Sequence, residues 1–203
     1  MLKGLFIAGT GTDVGKSCTS IFFLSILKKS EKKILYYKPV QCGKPSDAAF
    51  IKKALKHKDV ACSYELKTPS SPHFAFAKEK VKFSRKVIKD FLSEAKKKYD
   101  IVIMEGAGGV RVPITKDFDM ADLAKLSGFP VLLVAYPGLG TINHTLLSID
   151  YLKSKKVKIE GFVFYMANDE DLENEIILDN AEIIETISKV KFLGAVPKLG
   201  SSR

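Results

Sequence analysis

A glycine-rich loop near the amino terminus has the clearest chemistry in the sequence: residues 9–17, GTGTDVGKS. It stands between an apolar run, residues 5–8, and an amphipathic stretch, residues 16–29. This order is typical of a strand, a phosphate-binding loop and a helix, whose backbone N–H groups converge on an anion. We therefore expect Lys16 to reach the β- and γ-phosphates of a nucleotide and the hydroxyl of Ser17 to bind Mg²⁺.

The loop departs from the standard pattern G-x-x-x-x-G-K-[ST], because Thr10 occupies the position of the first glycine. Gly9, one residue earlier, is the nearest glycine that could serve there. The placement between a strand and a helix argues against a chance match in a lysine-rich chain. The loop thus predicts nucleotide binding, but by itself it does not identify the reaction.

Three acidic residues could complete a magnesium site beside such a nucleotide. Asp13 lies within the loop, Asp47 begins a predicted helix, and Glu105 follows a fully apolar strand, residues 101–104. Parallel sheets bind ligands at the carboxyl ends of their strands, which favours Glu105. The alternatives are a strand-end carboxylate facing solvent for Glu105 and, for Asp47, a helix N-terminal acid stabilised by the helix dipole.

A second lysine, Lys38, follows the predicted second strand, residues 34–37. If that strand neighbours the first, Lys38 faces the γ-phosphate, where another cation would stabilise a phosphoryl group in transfer. The pattern alone fits a surface lysine equally well.

Strands and helices alternate along the chain, and these elements would position the candidate residues. Strands are predicted at residues 5–8, 34–37, 101–104, 130–135, 159–166 and 192–196. Helices are predicted at residues 16–29, 47–56 with Ser46 as N-cap, 85–98, 120–126, 143–155 and 181–188, with a loop up to about residue 83. Continuous apolar strands are buried on both faces. We predict an α/β fold of the P-loop NTPase type, a mostly parallel sheet with helices on both faces, as one domain over residues 1–203.

Composition limits the class of protein. No apolar run approaches the roughly 18–20 residues that span a membrane, and the chain does not start like a signal peptide, so we expect a cytoplasmic protein. The three cysteines form no C-x-x-C pair, which argues against a zinc site or a disulfide framework.

The net charge of +10 could indicate nucleic-acid binding. However, the basic residues between positions 78 and 98 fall mostly on one side of a predicted helix, which favours a solvated lysine face.

Four segments together resemble the dethiobiotin synthetases. They are the loop at residues 9–17, YKPVQCG at residues 37–43, EGAGG at residues 105–109 and GLGTINH at residues 138–144. Weaker similarities at residues 71–73, 167–169 and 194–197 extend the resemblance over nearly the whole chain. The resemblance implies that CO₂ adds to one amine of 7,8-diaminononanoate, that ATP phosphorylates the carbamate, and that the second amine closes a cyclic urea.

The resemblance also implies roles for individual residues. Nucleotide binding falls to Gly11, Thr12, Asp13, Val14, Gly15, Lys16, Ser17, Glu105, Asn168 and Pro197. Mg²⁺ would be held by Ser17, Asp47 and Glu105, and catalysis would use Lys16, Lys38, Thr12 and Asp13. Substrate binding would use Thr12, Lys38 and Cys42, and the substrate carboxylate would be bound across a homodimer interface by Leu139, Gly140, Thr141, Ile142 and Asn143.

The chain departs from the family pattern at three points. Asp13 stands where many members have glutamate, Cys42 stands where serine is common, and the chain stops at Arg203, where many members continue. A thiol is a weaker hydrogen-bonding group than a hydroxyl.

Two alternatives stay open. A cobyrinate-type amidation enzyme usually carries a glutaminase domain, for which the chain has no room. A ParA/MinD-like ATPase switch that binds DNA or membrane is favoured by the basic charge. However, such switches usually have an extra lysine in the phosphate loop, which Thr10 and Gly11 do not supply, and they lack the EGAGG segment. We expect ATP, CO₂ and 7,8-diaminononanoate as partners, Mg²⁺ as cofactor, a homodimer, and neither nucleic acid nor membrane.

Overall fold

A computed structural model describes residues 4–167 and 174–198. Its strands are β1 (Gly4–Gly9), β2 (Ile34–Cys42), β3 (Val60–Leu66), β4 (Ile101–Gly109), β5 (Pro113–Thr115), β6 (Phe118–Asp119), β7 (Val131–Ala135), β8 (Ile159–Tyr165) and β9 (Phe192–Val196). Its helices are α1 (Lys16–Leu27), α2 (Asp47–Leu55), α3 (Pro72–Lys78), α4 (Arg85–Lys98), α5 (Met120–Ser127), α6 (Thr141–Ser154) and α7 (Glu175–Ser188).

Seven of these strands pair in one sheet, in the order β3-β2-β4-β1-β7-β8-β9, and every pair is parallel. The short strands β5 and β6 form a separate antiparallel pair. Because a parallel sheet needs crossover connections, helices separate most of its successive strands. The predicted fold class, a parallel α/β sheet of the P-loop NTPase type, is confirmed.

Helices cover both faces of the sheet, and the side chains of β1 show why. Successive residues of a strand point to opposite faces. Phe6 and Ala8 lie in a core shared with α3–α7, whereas Leu5 and Ile7 lie in a core shared with α1 and α2. Both faces are therefore dry, which explains why this strand is apolar throughout instead of alternating.

Two strands run further than the sequence predicted, and this changes the setting of two candidate residues. β2 continues to Cys42 and β4 continues to Gly109, so Lys38 and Glu105 lie within strands and not after them. The expectation that β2 could neighbour β1 is wrong, because β4 lies between them. Lys38 and Glu105 consequently meet on adjacent strands.

The segment predicted as a loop before residue 83 contains two elements. β3 forms the edge of the sheet beside β2, and α3 follows it. Pro72, which suggested a loop, is the first residue of α3, where a proline fits because its missing N–H would have no partner in the helix. α6 and α7 also begin earlier than predicted, at Thr141 and Glu175. Within the described ranges, no helix combines the length and the apolar character that a membrane crossing requires.

Candidate functional site

The glycine-rich loop connects β1 to α1 and is fixed at both ends. At its start, the N–H of Thr10 donates to the carbonyl of Val134 at 3.0 Å. At its end, Gly15 has a φ of 94°, and a Cβ atom there would lie 2.1 Å from the ring of Tyr165. Only glycine can therefore join the loop to the helix so closely against the end of β8.

Lys16 is the first residue of α1, and its side chain turns back toward the loop. It is buried, and its ammonium donates to the carbonyl of Gly11 at 2.7 Å. Burial, and after it repulsion from Lys38, lower the pKa of Lys16 from 10.5 to about 8. An anionic phosphate in the loop would supply the negative charge that this ammonium lacks.

Lys38 lies between two carboxylates and is 3% exposed. Its ammonium is 2.6 Å from Asp47 Oδ2 and 2.7 Å from Glu105 Oε1, and it also donates to the carbonyl of Gly106 at 3.0 Å. Burial alone would lower the pKa of Lys38, but Glu105 and Asp47 together raise it. The surface-lysine alternative for Lys38 is thus wrong.

Glu105 is completely buried and accepts four hydrogen bonds from side chains. Ser17 Oγ and Lys38 Nζ donate to Oε1 at 2.9 and 2.7 Å. Ser20 Oγ and the hydroxyl of Tyr36 donate to Oε2 at 2.6 and 3.0 Å. Burial would raise the pKa of Glu105, but Lys38 and the hydroxyl groups lower it, so the carboxyl group is ionised. A solvent-facing carboxylate, the alternative from the sequence, does not fit this burial.

Regular spacing brings these groups together. Tyr36 and Lys38 are two residues apart on β2 and share a face of the strand, while Ser17 and Ser20 are three apart on α1 and share a face of the helix. Sequence reasoning missed Ser20 and Tyr36. The spacing was visible in the sequence, but the pairing of β2 with β4, which brings both to Glu105, was not.

The donor set of Ser17, Asp47 and Glu105 fits a magnesium ion. All three offer oxygen atoms, which Mg²⁺ prefers, and the Lys38 ammonium between the two carboxylates shows that a cation is accommodated there. In the part of the chain that the structure describes, no group of three or more His, Cys, Asp or Glu side chains could hold a metal. Two carboxylates and a hydroxyl are what Mg²⁺ uses when substrate phosphates supply further ligands.

A cleft of about 750 Å³ opens over these groups at the carboxyl edge of the sheet. Its volume lies within the range of small-molecule sites, about 300–1,000 Å³. The candidate residues that line it are Thr12, Asp13, Gly15, Lys16, Ser17, Lys38, Cys42, Asp47 and Glu105. Cys18, Gln41 and Tyr165 line it as well, and the sequence did not single them out. Burial raises the pKa of Cys42 to about 11, so its thiol stays protonated.

A second cleft, of about 270 Å³, lies where the phosphate loop meets the segment before α6. Thr12 and Asp13 line both clefts, which makes them the link between the two. Asp13 has a left-handed φ of 57° and is exposed. The remaining lining of the second cleft comes from Thr10, Val14, Tyr136, Gly138, Leu139, Thr141 and His144.

The other candidate residues have different surroundings. Leu139 is fully exposed, Gly140 is the N-cap of α6, Ile142 is half-buried and Asn143 is exposed. Pro197 is exposed just after β9, whose Val196 pairs with Tyr165. Asn168 lies outside the described residues.

Comparisons with known proteins agree with the resemblance seen in the sequence. The family model of an AAA domain matches residues 3–203. The chain is 36% identical to the ATP-dependent dethiobiotin synthetase BioD of Methanocaldococcus jannaschii, over 95% of this chain and 92% of that protein. It is also 36% identical to the protein of the same name from Anoxybacillus flavithermus, over 98% and 93% of the two chains.

Among solved structures, a ParA family ATPase from Chlorobium tepidum matches with a TM-score of 0.60. The match covers 97% of this chain and 84% of that one. At 11% identity, this likeness concerns the fold alone. The dethiobiotin synthetases, in contrast, match over nearly their whole length and confirm the resemblance that the sequence motifs predicted. The chain belongs to the family of ATP-dependent dethiobiotin synthetases, which are P-loop enzymes of the AAA domain type.

Proposed function

We propose that this chain makes dethiobiotin from 7,8-diaminononanoate, CO₂ and ATP, as a single catalytic domain of biotin biosynthesis. The observation that carries the proposal is Lys38, a lysine buried beside the phosphate loop in addition to Lys16. Binding a nucleotide alone requires the loop and its own lysine. A second buried cation suits a reaction that brings two anions together, a carbamate and a triphosphate.

The proposed reaction has three steps. One amine of the substrate adds to CO₂ and loses a proton, which gives a carbamate. A carbamate oxygen then attacks the γ-phosphorus of ATP, ADP leaves, and a carbamic–phosphoric anhydride results. Finally, the second amine attacks the carbonyl carbon, phosphate leaves, and loss of a proton from the attacking nitrogen gives the neutral cyclic urea.

The residues act by positioning and by charge. Lys16 holds the β- and γ-phosphates, and Lys38 neutralises the carbamate and the phosphoryl group in transfer. Thr12 and Asp13 orient the diamine, because they stand between the two clefts. Holding two anions in reactive contact is the main catalytic contribution, since such positioning can lower a barrier by several kcal/mol, up to about 7–11.

Mg²⁺ would be held by Ser17, Asp47 and Glu105 together with the nucleotide. When bound, it supplies charge neutralisation on the phosphate oxygens. Lys38 contacts both Asp47 and Glu105, so it must share or exchange these partners when the metal–nucleotide complex binds. An ammonium released in this way would lie beside the carbamate.

The substrate carboxylate is assigned to the start of α6, where the backbone N–H groups of a helix N-terminus favour an anion. Leu139, Gly140, Thr141, Ile142 and Asn143 form this region, and Cys42 faces the main cleft. The carboxylate site lies at a homodimer interface in this proposal. The adenine is assigned to Asn168 and the region of Pro197.

The predicted cytoplasmic location and the predicted absence of nucleic-acid and membrane partners remain parts of this proposal. They fit an enzyme whose substrates are all small and water-soluble. Ile88, Leu92 and Ala95 of α4 face the core and the lysines lie on the outer side of the helix, as expected for a solvated lysine face.

The decisive experiment measures phosphate release from ATP with Mg²⁺ and bicarbonate, with and without 7,8-diaminononanoate. We expect release that depends strongly on the diamine, and a product with the mass of dethiobiotin. A matched assay with a mono-amine analogue should give phosphate release without a cyclic product. ATP hydrolysis that ignores the diamine and responds to DNA or lipid vesicles would instead support a ParA-like switch and reject the proposal.

A further inference from the structure

The two oxygen atoms of Glu105 have different surroundings. Oε1 accepts from Ser17 and Lys38, which both line the main cleft. Oε2 accepts from Ser20 at 2.6 Å and from Tyr36 at 3.0 Å, and both of these residues are completely buried. One edge of the carboxylate thus faces the ligand site, while the other faces the protein interior.

Neither Ser20 nor Tyr36 can touch a ligand directly, because each has an exposed fraction of 0%. Each hydroxyl has one proton to donate, and each donates it to the same oxygen. Oε2 therefore has two buried donors, one from α1 and one from β2.

A glutamate carboxylate otherwise rotates with little resistance, because its terminal torsion has broad, shallow minima. Two hydrogen bonds to Oε2 from different elements, α1 and β2, remove this freedom. Rotation of the carboxylate would break both bonds in a fully buried environment, where unsatisfied polar groups cost about 1–3 kcal/mol each. Oε1 is thereby held toward Ser17 and Lys38 at the main cleft.

We propose that Tyr36 and Ser20 are positioning residues that hold Oε2 of Glu105, so that Oε1 is presented to the magnesium ion of the bound nucleotide. This inference rests on the metal site of the proposed function. Groups that orient a metal ligand commonly change metal affinity by about 10–100-fold when they are removed. Tyr36 and Ser20 would act on the metal, and only through the metal on turnover.

The test uses the variants Tyr36→Phe and Ser20→Ala and measures Mn²⁺ binding by electron paramagnetic resonance. The probe is Mn²⁺ added to the protein with the non-hydrolysable analogue in which an imido group bridges the β- and γ-phosphates of ATP. We expect the dissociation constant for Mn²⁺ to rise about tenfold in each variant. Affinity for the same nucleotide in EDTA should stay within about twofold of the parent, since Lys16 and the loop are unchanged.

Tyr37→Phe is the matched control. Tyr37 is the next residue on β2, is equally buried, and its hydroxyl shares a 2.6 Å hydrogen bond with Ser63 on the opposite face of the sheet. Its variant loses a buried hydroxyl of the same kind without changing any contact of Glu105. We expect Tyr37→Phe to bind Mn²⁺ as the parent does, although it loses a comparable amount of stability.

Unchanged Mn²⁺ affinity in Tyr36→Phe and Ser20→Ala would overturn the inference, and so would an equal loss in Tyr37→Phe. Failure of the proposed function gives a different result. In that case the parent protein binds Mn²⁺ with the nucleotide but forms no dethiobiotin, and the comparison of the variants still decides the role of Tyr36 and Ser20.

Discussion

The two lysines of the site differ in the partners of their ammonium groups. Lys16 has one carbonyl partner and a lowered pKa of about 8, because burial is not offset by an adjacent carboxylate within hydrogen-bond distance. Lys38 has two carboxylate partners and a raised pKa. An incoming triphosphate therefore stabilises the charged form of Lys16 directly, whereas it must compete with Asp47 and Glu105 for Lys38. This difference suits one lysine to binding and the other to a change of partners during the reaction.

Lys16→Ala should weaken ATP binding by about 10–100-fold. The reason is the loss of charge-assisted hydrogen bonds to phosphate, which contribute about 1.5–3 kcal/mol. Isothermal titration with ATP and Mg²⁺ measures the effect. Lys29→Ala, which removes an exposed lysine just beyond α1, is the control and should bind ATP normally. Unchanged affinity in Lys16→Ala would contradict the assignment of the phosphate loop.

Thr19 offers a test of stability outside the site. It is completely buried, and in the part of the chain that the structure describes its Oγ1 is the buried side-chain oxygen without a hydrogen-bond partner. Thr19→Val keeps the shape and removes this hydroxyl, so we expect the free energy of unfolding in urea to rise by about 1 kcal/mol. Thr145→Val is the control, because Thr145 is equally buried but its hydroxyl pairs with Thr141. A gain in both variants, or in neither, would count against this explanation.

Residue type and local position were sufficient to select some of the residues that meet at the site. The sequence singled out Lys38 and Glu105, and the structure brings them together. It did not suggest Ser20 or Tyr36, because a serine in a helix and a tyrosine in an apolar strand look like ordinary core residues. Their role depends on which strands are neighbours, and no local pattern encodes that.

At the scale of elements, Asp119 joins three parts of the chain. It is the N-cap of α5, where its side chain accepts from the N–H of Asp122 at 3.0 Å. It also forms an ion pair with Arg111 at 2.6 Å, and the hydroxyl of Tyr151 on α6 donates to it. A single buried carboxylate thus connects the segment after β4 with two helices on one face of the sheet.

Asp119→Ala should lower the free energy of unfolding by about 2–4 kcal/mol, since it removes a helix cap and the charged acceptor of the hydrogen bond from Tyr151. Urea denaturation at pH 7 measures the loss. Asp117→Ala is the control: it removes an exposed ion pair with Arg85, which is expected to contribute at most about 1 kcal/mol. Equal losses in the two variants would show that the buried network adds nothing.

The effect of Asp119 should also depend on pH. Burial would raise the pKa of Asp119, but Tyr151, the N–H of Asp122 and Arg111 lower it below its usual 3.8. A lowered pKa means that the ionised group stabilises the fold above pH 3.8 and that this contribution is lost as the pH falls through the pKa of the folded state. The stability difference between Asp119→Ala and the parent should therefore be full at neutral pH and shrink below about pH 4.

Sequence patterns predicted helices and strands well where the spacing of apolar residues was regular. The bounds predicted for α4 and β9 agree with the structure, because an amphipathic helix and an isolated apolar strand have clear ends. β3 was missed because it is an edge strand, and most of its residues are only partly buried. Its place beside β2 is a tertiary effect, which outweighs weak local preference.

At the scale of the whole molecule, the strand order explains why one edge of the sheet holds the site. β1 is central, between β4 and β7, so the phosphate loop has Glu105 on one side and the loop before α6 on the other. The sequence predicted a parallel sheet but not this order. Strand order depends on contacts between distant segments, and alternation along the chain is compatible with several orders.

An apolar surface beside the second cleft supports the proposed homodimer. Leu139 is fully exposed, and Tyr136 and Leu147, on either side of it along the chain, are exposed as well. We expect Leu139→Glu to convert a dimer into a monomer in analytical ultracentrifugation, because it places a charge in an apolar contact. The KM for the diamine should then rise about tenfold or more, with little change in ATP affinity, if the partner chain completes the carboxylate site.

Ile187→Glu is the matched control for this prediction. Ile187 is a similarly exposed apolar residue near the end of α7. Because α7 leads into β9, it ends at the amino-terminal end of the parallel strands, whereas the clefts lie at their carboxyl ends. We expect this variant to stay dimeric with an unchanged KM for the diamine. A parent protein that sediments as a monomer and still makes dethiobiotin would show that one chain holds the whole site. In that case Leu139 would act on the substrate from its own chain, because it already lines the second cleft.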